Sequence, residues 1–347
     1  MIKKLSINAF RGIQRSEISN LSPINIFFGK NNCGKSSLLE AIFVLSNRLN
    51  PTLALRINEL RQYYDNTLEG LSSSFFNRDT DTPIHISYES TEHDRYLMTI
   101  SIERILSKEI EDNVPVSYDG KEYRLKVFTS MNGKANPTTG FEVIRKEGKL
   151  VLTLQNTPTE RQKDTCIYMT PTYPFFEAID VLKDMLQNKQ KEGLLLSLQA
   201  IEPSISDIVI IGNDVLVDVG IEKLLPINIL GDGIRKILSI ILNINACKGG
   251  MLLIDEVDNG FHFTSLTSLW QAILSTASEC NTQIFVTTHN IDSLKSLNTV
   301  LNKQTYSQMK PEISAYKLMK KDNVELVALR YGFEEFSHMM SNDIEIR

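Results

Sequence analysis

The chain has 347 residues and a mass of 39.4 kDa, enough to bury a large core in one or two domains. Charged residues at 23% and hydrophobic ones at 42% are ordinary for a globular protein, and a formal net charge of −5 argues against a chain that coats nucleic acid by bulk electrostatics while leaving room for a local basic groove. Four cysteines, Cys33, Cys166, Cys247 and Cys280, form no C-x-x-C pair. They supply neither a disulfide framework nor a zinc site, and point to a reducing cytosol.

The first predicted element is a strand over residues 3–10, then a turn at Arg11-Gly12 and a second strand over 25–28. The two lysines near the start have no long apolar stretch behind them, so no signal peptide is expected. A glycine-rich stretch, "GKNNCGKSS" from Gly29 to Ser37, separates the second strand from a helix with Leu38, Ala41, Ile42 and Leu45 on one face. That helix should end over 47–51, where Pro51 cannot continue it. Residues 52–76 read as helical and then loop-like. From Ile84 to Leu154 apolar and polar residues alternate, with turn signals at Asp119-Gly120, Asn132-Gly133 and Glu147-Gly148, which predicts an antiparallel β block.

Helical spacing returns over 175–200. From Asp207 onward "DIVIIG", "DVLVDVG", a helix over 234–247, "GMLLIDE", a helix over 265–278 and "QIFVTTH" alternate strand with helix, the pattern of a parallel sheet flanked by helices. The tail reads as a hairpin and a short helix. The most apolar helix, 234–246, is too short and too polar to span a bilayer. The expected organisation is a nucleotide-binding α/β core in residues 1–50 and 205–347, split by a β-rich and helical region over 51–204.

Four segments carry chemistry. Gly29, Lys30, Asn31, Asn32, Cys33, Gly34, Lys35 and Ser36 satisfy G-x-x-x-x-G-K-[ST] between a strand and a helix, with Ser37 following. The glycines let backbone N–H groups turn inward around phosphates, and the helix start adds its dipole. Lys35 would reach the β- and γ-phosphates of ATP and Ser36 would offer its hydroxyl to Mg²⁺. Cys33 reads as a small residue that fits, although a thiol beside Gly34 is a site where alkylation could block ATP.

Asp255 and Glu256 end an apolar strand, where ligands bind in open α/β sheets. Asp255 would hold Mg²⁺ through its water shell, and Glu256 would accept a proton from the attacking water. His289 ends another apolar strand and would contact the γ-phosphate or that water. Finally Gly231, Asp232 and Gly233 precede a helix with Ile234, Ile237, Leu238, Ile241 and Leu242 on one face, a second helix start able to bind an anion.

The order of these segments resembles an ABC-type P-loop ATPase head, and the chain is similar to ABC/SMC-like ATPases of the overcoming-lysogenization-defect (OLD) type. The residues that carry this are "INAFRGI", "INIFFGKNNCGKSSLLEAI", "LPINILGDGIRKILSIIL", "LLIDEVDNGFH", "IFVTTHNIDSL" and "RYGFEEF…IEIR". Residues 50–200 carry little of it. The resemblance implies an α/β fold, a mixed or parallel sheet flanked by helices plus an antiparallel β subdomain, with a helical insertion.

It also implies head-to-tail homodimers that sandwich two ATPs, with Gly231, Asp232 and Gly233 acting in trans and Asp258-Asn259-Gly260 facing the other subunit. The G-D-G signature departs from the L-S-G-G-Q of membrane transporters. Gln155 and Gln162 are candidates for the Q-loop glutamine by order only. No acidic Toprim nuclease module is recognisable after His289, which points to a separate effector, a Toprim-type nuclease or a toxin, and to a role in anti-phage defence. Two other readings stand beside this one: a RecF-like recombination or repair ATPase with DNA as partner, and a nucleotide-gated scaffold with negligible hydrolysis. With no signal peptide and no bilayer-spanning helix expected, the protein reads by default as cytoplasmic.

Overall fold

The structure is a computed structural model that describes all residues except 51–52, 66, 105–122, 136–138, 147–148, 156–164, 173–178, 323 and 342–347. The turns expected at Asp119-Gly120 and Glu147-Gly148, the candidate Gln162 and the final IEIR lie outside the described residues.

In chain order the first half contains β1 (Ile2–Phe10), β2 (Ile13–Ile18), β3 (Ile24–Phe28), α1 (Lys35–Ser46), α2 (Leu53–Arg56), α3 (Leu68–Ser72) and β4 (Ile84–Ser90). There follow β5 (Arg95–Arg104), β6 (Tyr123–Met131), β7 (Lys134–Ala135), β8 (Thr139–Lys146), β9 (Lys149–Gln155) and β10 (Cys166–Met169). The second half runs through α4 (Ile179–Gln187), α5 (Lys191–Gln199), β11 (Asp207–Ile211), β12 (Asp214–Asp218), β13 (Leu225–Pro226), α6 (Asp232–Ala246) and β14 (Met251–Ile254). It closes with α7 (Leu266–Cys280), β15 (Gln283–Thr288), α8 (Ile291–Leu301), β16 (Ile313–Lys321), β17 (Glu325–Tyr331) and α9 (Phe333–Ser341).

The chain divides into two compact units. The first comprises Met1–Leu21, Asn31–Lys163 and Leu318–Ala328. Its strands pair antiparallel in the order β2-β1-β4-β5-β6-β8-β9. The alternating sequence predicts the antiparallel strands over 84–154; β2, and the joining of β1 to this block, were not expected. Along β6 buried and half-buried residues alternate, the period-2 pattern of a sheet with one covered face. Helix α1 lies against β1, β4 and β5. Its sequence pattern suggests one apolar face, yet ten of its twelve residues are buried, Glu40 among them.

The second unit comprises Ser22–Lys30, Asp164–Lys317 and Leu329–Arg347. Its strands run parallel in the order β10-β14-β15-β3-β16. All five residues of β3 and all four of β14 are buried, as expected when helices cover both faces of a parallel sheet. Ile24, Ile26 and Phe28 join Trp270, Ile273, Leu294 and Leu297 of α7 and α8 in one core cluster. Phe27, on the opposite face of β3, stacks at 6.4 Å on Phe285. The one polar residue of β3, Asn25, is satisfied locally: its Oδ1 accepts from the Ser22 amide at 2.8 Å, and its Nδ2 donates to the Ser22 carbonyl at 2.6 Å. A second cluster joins Leu182 of α4, Leu194 and Leu198 of α5 and the apolar face of α6.

Two expectations change here. The strands "DIVIIG" and "DVLVDVG" are not part of the parallel sheet; β11, β12 and β13 form a separate antiparallel sheet. Only Gly212 and Asn213 separate β11 from β12, a connection that permits a hairpin, whereas parallel strands need a crossover of about a dozen residues. The parallel sheet instead gains β10, which pairs with β14 and was not legible in the sequence. Also, α6 starts at Asp232 with Gly231 as its N-cap, so Gly233 lies inside the first turn and not before the helix.

Candidate functional site

Strand β3 delivers the chain to the glycine-rich loop. Gly29 has φ 151°, Asn32 φ 61° and Gly34 φ 108°, a run of backbone turns that only glycine or asparagine adopts at low cost. Gly34 caps α1 without a side-chain hydrogen bond, and the first turn of α1 carries no acidic residue. That is the arrangement expected where an anion completes the helix start. Lys35 is 92% buried, and Cys33 is buried at the loop's midpoint. Burial pushes the Cys33 thiol above its ordinary pKa, partly offset by the Lys35 ammonium.

The helix behind the loop is anchored within the first unit. Arg11, held at φ 53° in the turn after β1, donates Nε to Glu40 Oε2 at 2.9 Å and Nη1 to Asn58 Oδ1 at 2.7 Å. Arg61 donates to Glu40 Oε1 at 2.6 Å and to the Ser37 hydroxyl at 3.2 Å. The "AFRGI" segment therefore supplies a buried counter-ion to the helix that follows the phosphate-type loop.

In the second unit the pairing register brings three strand ends to one edge. Phe28 of β3 is opposite Thr288 of β15, and Val286 of β15 is opposite Ile254 of β14. Gly29 and Lys30, His289, and the pair Asp255-Glu256 therefore share the carboxyl edge of the parallel strands. Asp255 is buried, and its carboxylate accepts from the Tyr168 hydroxyl at 3.2 Å and from the Thr287 hydroxyl. The same Thr287 oxygen accepts from the Glu256 amide at 2.8 Å. Glu256 is half-buried with φ 49°, a left-handed conformation that costs a non-glycine residue about 1–2 kcal/mol. Such strain persists only where neighbouring contacts over-determine it. His289 is exposed, one residue before Asn290, whose side chain caps α8 by accepting from the Asp292 amide at 2.9 Å.

Gly231 and Asp232 are exposed at the start of α6, and Asp232 pairs with Arg235 one turn on. The loop after β14 packs on this helix start: a Cβ placed on Gly233 would lie 3.5 Å from the Phe261 ring and 3.7 Å from the Gly260 carbonyl. Lys236 of α6 donates to the Glu256 carbonyl at 2.9 Å and the Asn259 carbonyl at 2.8 Å. Burial lowers its pKa to about 8, against the opposing pull of Asp258, Glu256 and Asp255.

Tyr168, the bridging role of Thr287 and Lys236 were not found by sequence reasoning. No motif marks them: Tyr168 lies on a four-residue strand with no periodic signal of its own, and the other two sit inside motifs read for different residues. Gln155 is the last residue of β9.

The donor set fits Mg²⁺. Among the described residues no three His, Cys, Asp or Glu side chains cluster as an all-protein metal cage. Magnesium is commonly held by one or two carboxylates, with waters and substrate phosphates completing its shell. A buried Asp255 whose hydrogen-bond partners here are hydroxyls suits that mode.

The chain is similar along its length to a protein named ATP/GTP phosphatase from Helicobacter pylori, 23% identical over 384 aligned residues that cover 99% of each chain. Among solved structures it resembles an Smc head domain with an extended coiled coil bound to the C-terminal domain of ScpA derived from Pyrococcus furiosus, with a TM-score of 0.51, 9% identity and 99% of each chain covered. It also resembles an SmcHead bound to the C-winged helix domain of ScpA, with a TM-score of 0.50 and 13% identity over 94% of this chain and 98% of the other. These likenesses establish an α/β, SMC-head-like fold. No helix among the described residues is long and apolar enough to cross a membrane. The sequence model of the family described as "AAA domain, putative AbiEii toxin, Type IV TA system" matches residues 24–294, more than three quarters of the chain, and the protein belongs to that family.

Proposed function

We propose that the protein is a Mg²⁺-dependent ATP hydrolase of the OLD/SMC-like kind whose nucleotide-driven homodimerisation switches a separate effector, a nuclease or toxin, in anti-phage defence. The observation that carries the hydrolase reading is the Thr287 hydroxyl, which joins the Asp255 carboxylate to the Glu256 backbone at the carboxyl edge of parallel strands. Two adjacent acids with fixed relative positions suit two roles, metal binding and general base. The name of the Helicobacter pylori relative, the AAA-domain family and the SMC-head-like fold support the same reading.

In this reading Gly29 through Gly34 and Lys35 bind the phosphates, with Ser36 and Ser37 at the helix start. Asp255 and Ser36 would hold Mg²⁺, which would neutralise phosphate charge. Glu256 takes the proton of the attacking water, and His289 orients that water or the γ-phosphate. Gly231, Asp232 and Gly233 serve the nucleotide of the second subunit. We place the nucleotide core in residues 1–50 and 205–347, with β10 supplied from the intervening region.

The test compares wild type with Glu256→Gln. The substitution should leave ATP binding intact, lower kcat by ~10²–10⁴-fold and accumulate an ATP-bound dimer in sedimentation. Full turnover by Glu256→Gln would remove the base assignment. Stimulation of wild type by duplex DNA alone, with steep salt dependence, would replace the effector-switch reading with a RecF-like one.

A further inference from the structure

The turn after β14 is gripped at both faces of one strained residue. From β15, the Thr287 hydroxyl accepts from the amide of Glu256 at 2.8 Å. From α6, the Lys236 ammonium donates to the carbonyl of Glu256 at 2.9 Å and, three residues on, to that of Asn259 at 2.8 Å. The Glu256 side chain is thus aimed by a left-handed backbone whose two polar groups are both bound by side chains from other elements. Within the same turn Asp258 is buried, with an Oδ1 that has no hydrogen-bond partner, and its charge acts on the Lys236 ammonium.

Lys236 sits one helical turn after Asp232, on the helix whose start carries Gly231 and Gly233. Its ammonium also lies 5.9 Å from the centroid of the Phe261 ring, the ring that packs next to Gly233. The start of α6 and the turn bearing Glu256 therefore meet at one joint, where Lys236 binds two carbonyls of the turn and Phe261 and Gly260 pack on Gly233.

We propose that Lys236 is a positioning residue: it fixes the backbone of Glu256 and transmits to it the position of the α6 start, so that engagement of Gly231–Gly233 sets how well Glu256 is aimed. The proposal rests on the reading of Glu256 as the base. Lysine suits the role because its ammonium has three donors on a flexible stem, enough to bind the Glu256 and Asn259 carbonyls together, and arginine keeps the charge and more than one donor.

The experiment measures steady-state ATP hydrolysis and amide hydrogen exchange across residues 254–262 in the full chain, for wild type, Lys236→Met, Lys236→Arg and the double variant Lys236→Met/Asp258→Asn. Lys236→Met should lower kcat by ~10²-fold, the effect of a misplacement of about 1 Å, with KM for ATP within about twofold of wild type. Exchange should accelerate in 254–262 and not elsewhere. Lys236→Arg should recover most of kcat. The double variant removes the uncompensated buried charge, so it keeps the test open if Lys236→Met does not fold, and it should stay slow.

Unchanged kcat in Lys236→Met, recovery of kcat in the double variant, or faster exchange spread over the whole chain would each overturn the positioning role. Absence of ATP hydrolysis in wild type would sink the reading of Glu256 while the exchange measurement still decides whether Lys236 holds the turn.

Discussion

The hydroxyl of Thr287 donates to the carboxylate of Asp255, and the same oxygen receives the amide of Glu256. One side chain on β15 thereby sets the relation between two adjacent acids on the neighbouring strand end. Valine has nearly the same shape and neither function. Thr287→Val should destabilise the fold by about 1–3 kcal/mol, because the Glu256 N–H loses its acceptor in a mostly buried setting. It should also lower kcat with little change in KM, whereas Thr287→Ser should keep both. Urea melts and steady-state rates on the two variants check this; equal behaviour of Val and Ser would show that the hydroxyl is idle.

Gly34 tests the loop. A Cβ there would find its nearest neighbour, Leu326 Cδ1, at 3.6 Å, so space is not the obstacle. The obstacle is φ 108°, which costs an L-residue about 1–2 kcal/mol or forces the loop to turn its N–H groups elsewhere. Gly34→Ala should weaken binding of a fluorescent ATP analogue more than it lowers stability. Gly133→Ala, at φ 74° in an open hairpin turn, should cost stability alone.

The buried pair Arg11–Glu40 tests the anchoring of α1. Arg11→Met leaves the fully buried Glu40 carboxylate with Arg61 as its remaining ionic partner, and should cost about 3 kcal/mol in denaturant unfolding. Arg11→Met with Glu40→Leu should recover part of that loss, since Arg61 is half exposed and can return to solvent. A double variant less stable than the single one would mean that Glu40 serves α1 through Arg61 alone.

The thiols respond to pH in one direction. Burial raises Cys33, and raises Cys247 from 9.0 to about 12. A group with a raised folded pKa holds its proton more tightly in the folded state, so its contribution is complete below the unfolded value and is lost as pH rises through the folded one. Stability should therefore decline between about pH 9 and 12, and Cys247→Ala should flatten that decline. At pH 7.5 iodoacetamide should modify Cys33 far more slowly than free glutathione, with or without ATP. Rapid modification that ATP blocks would instead make Cys33 a reactive loop thiol.

Periodicity and spacing alone determined the antiparallel block from Ile84 to Leu154, the helices α6 and α7, and the sequence of loop, acidic strand end and strand-end histidine. These are local patterns: a two-residue or 3.6-residue repeat, or a glycine run whose backbone geometry few other residues can adopt. Tertiary structure decided the rest. Four residues, Cys166–Met169, give no periodic signal of their own, yet pairing with β14 makes them a strand and brings Tyr168 to Asp255 across 87 positions of sequence. The strands β11 and β12 look like their parallel neighbours in composition, and only the two-residue connection separates them. Lys236 is one more polar residue on a helix until folding sets it under two carbonyls twenty and more positions away. Side chains that act by holding the backbone of distant residues leave no spacing in the chain, because their partners are chosen by the packing of strands and helices and not by separation along it.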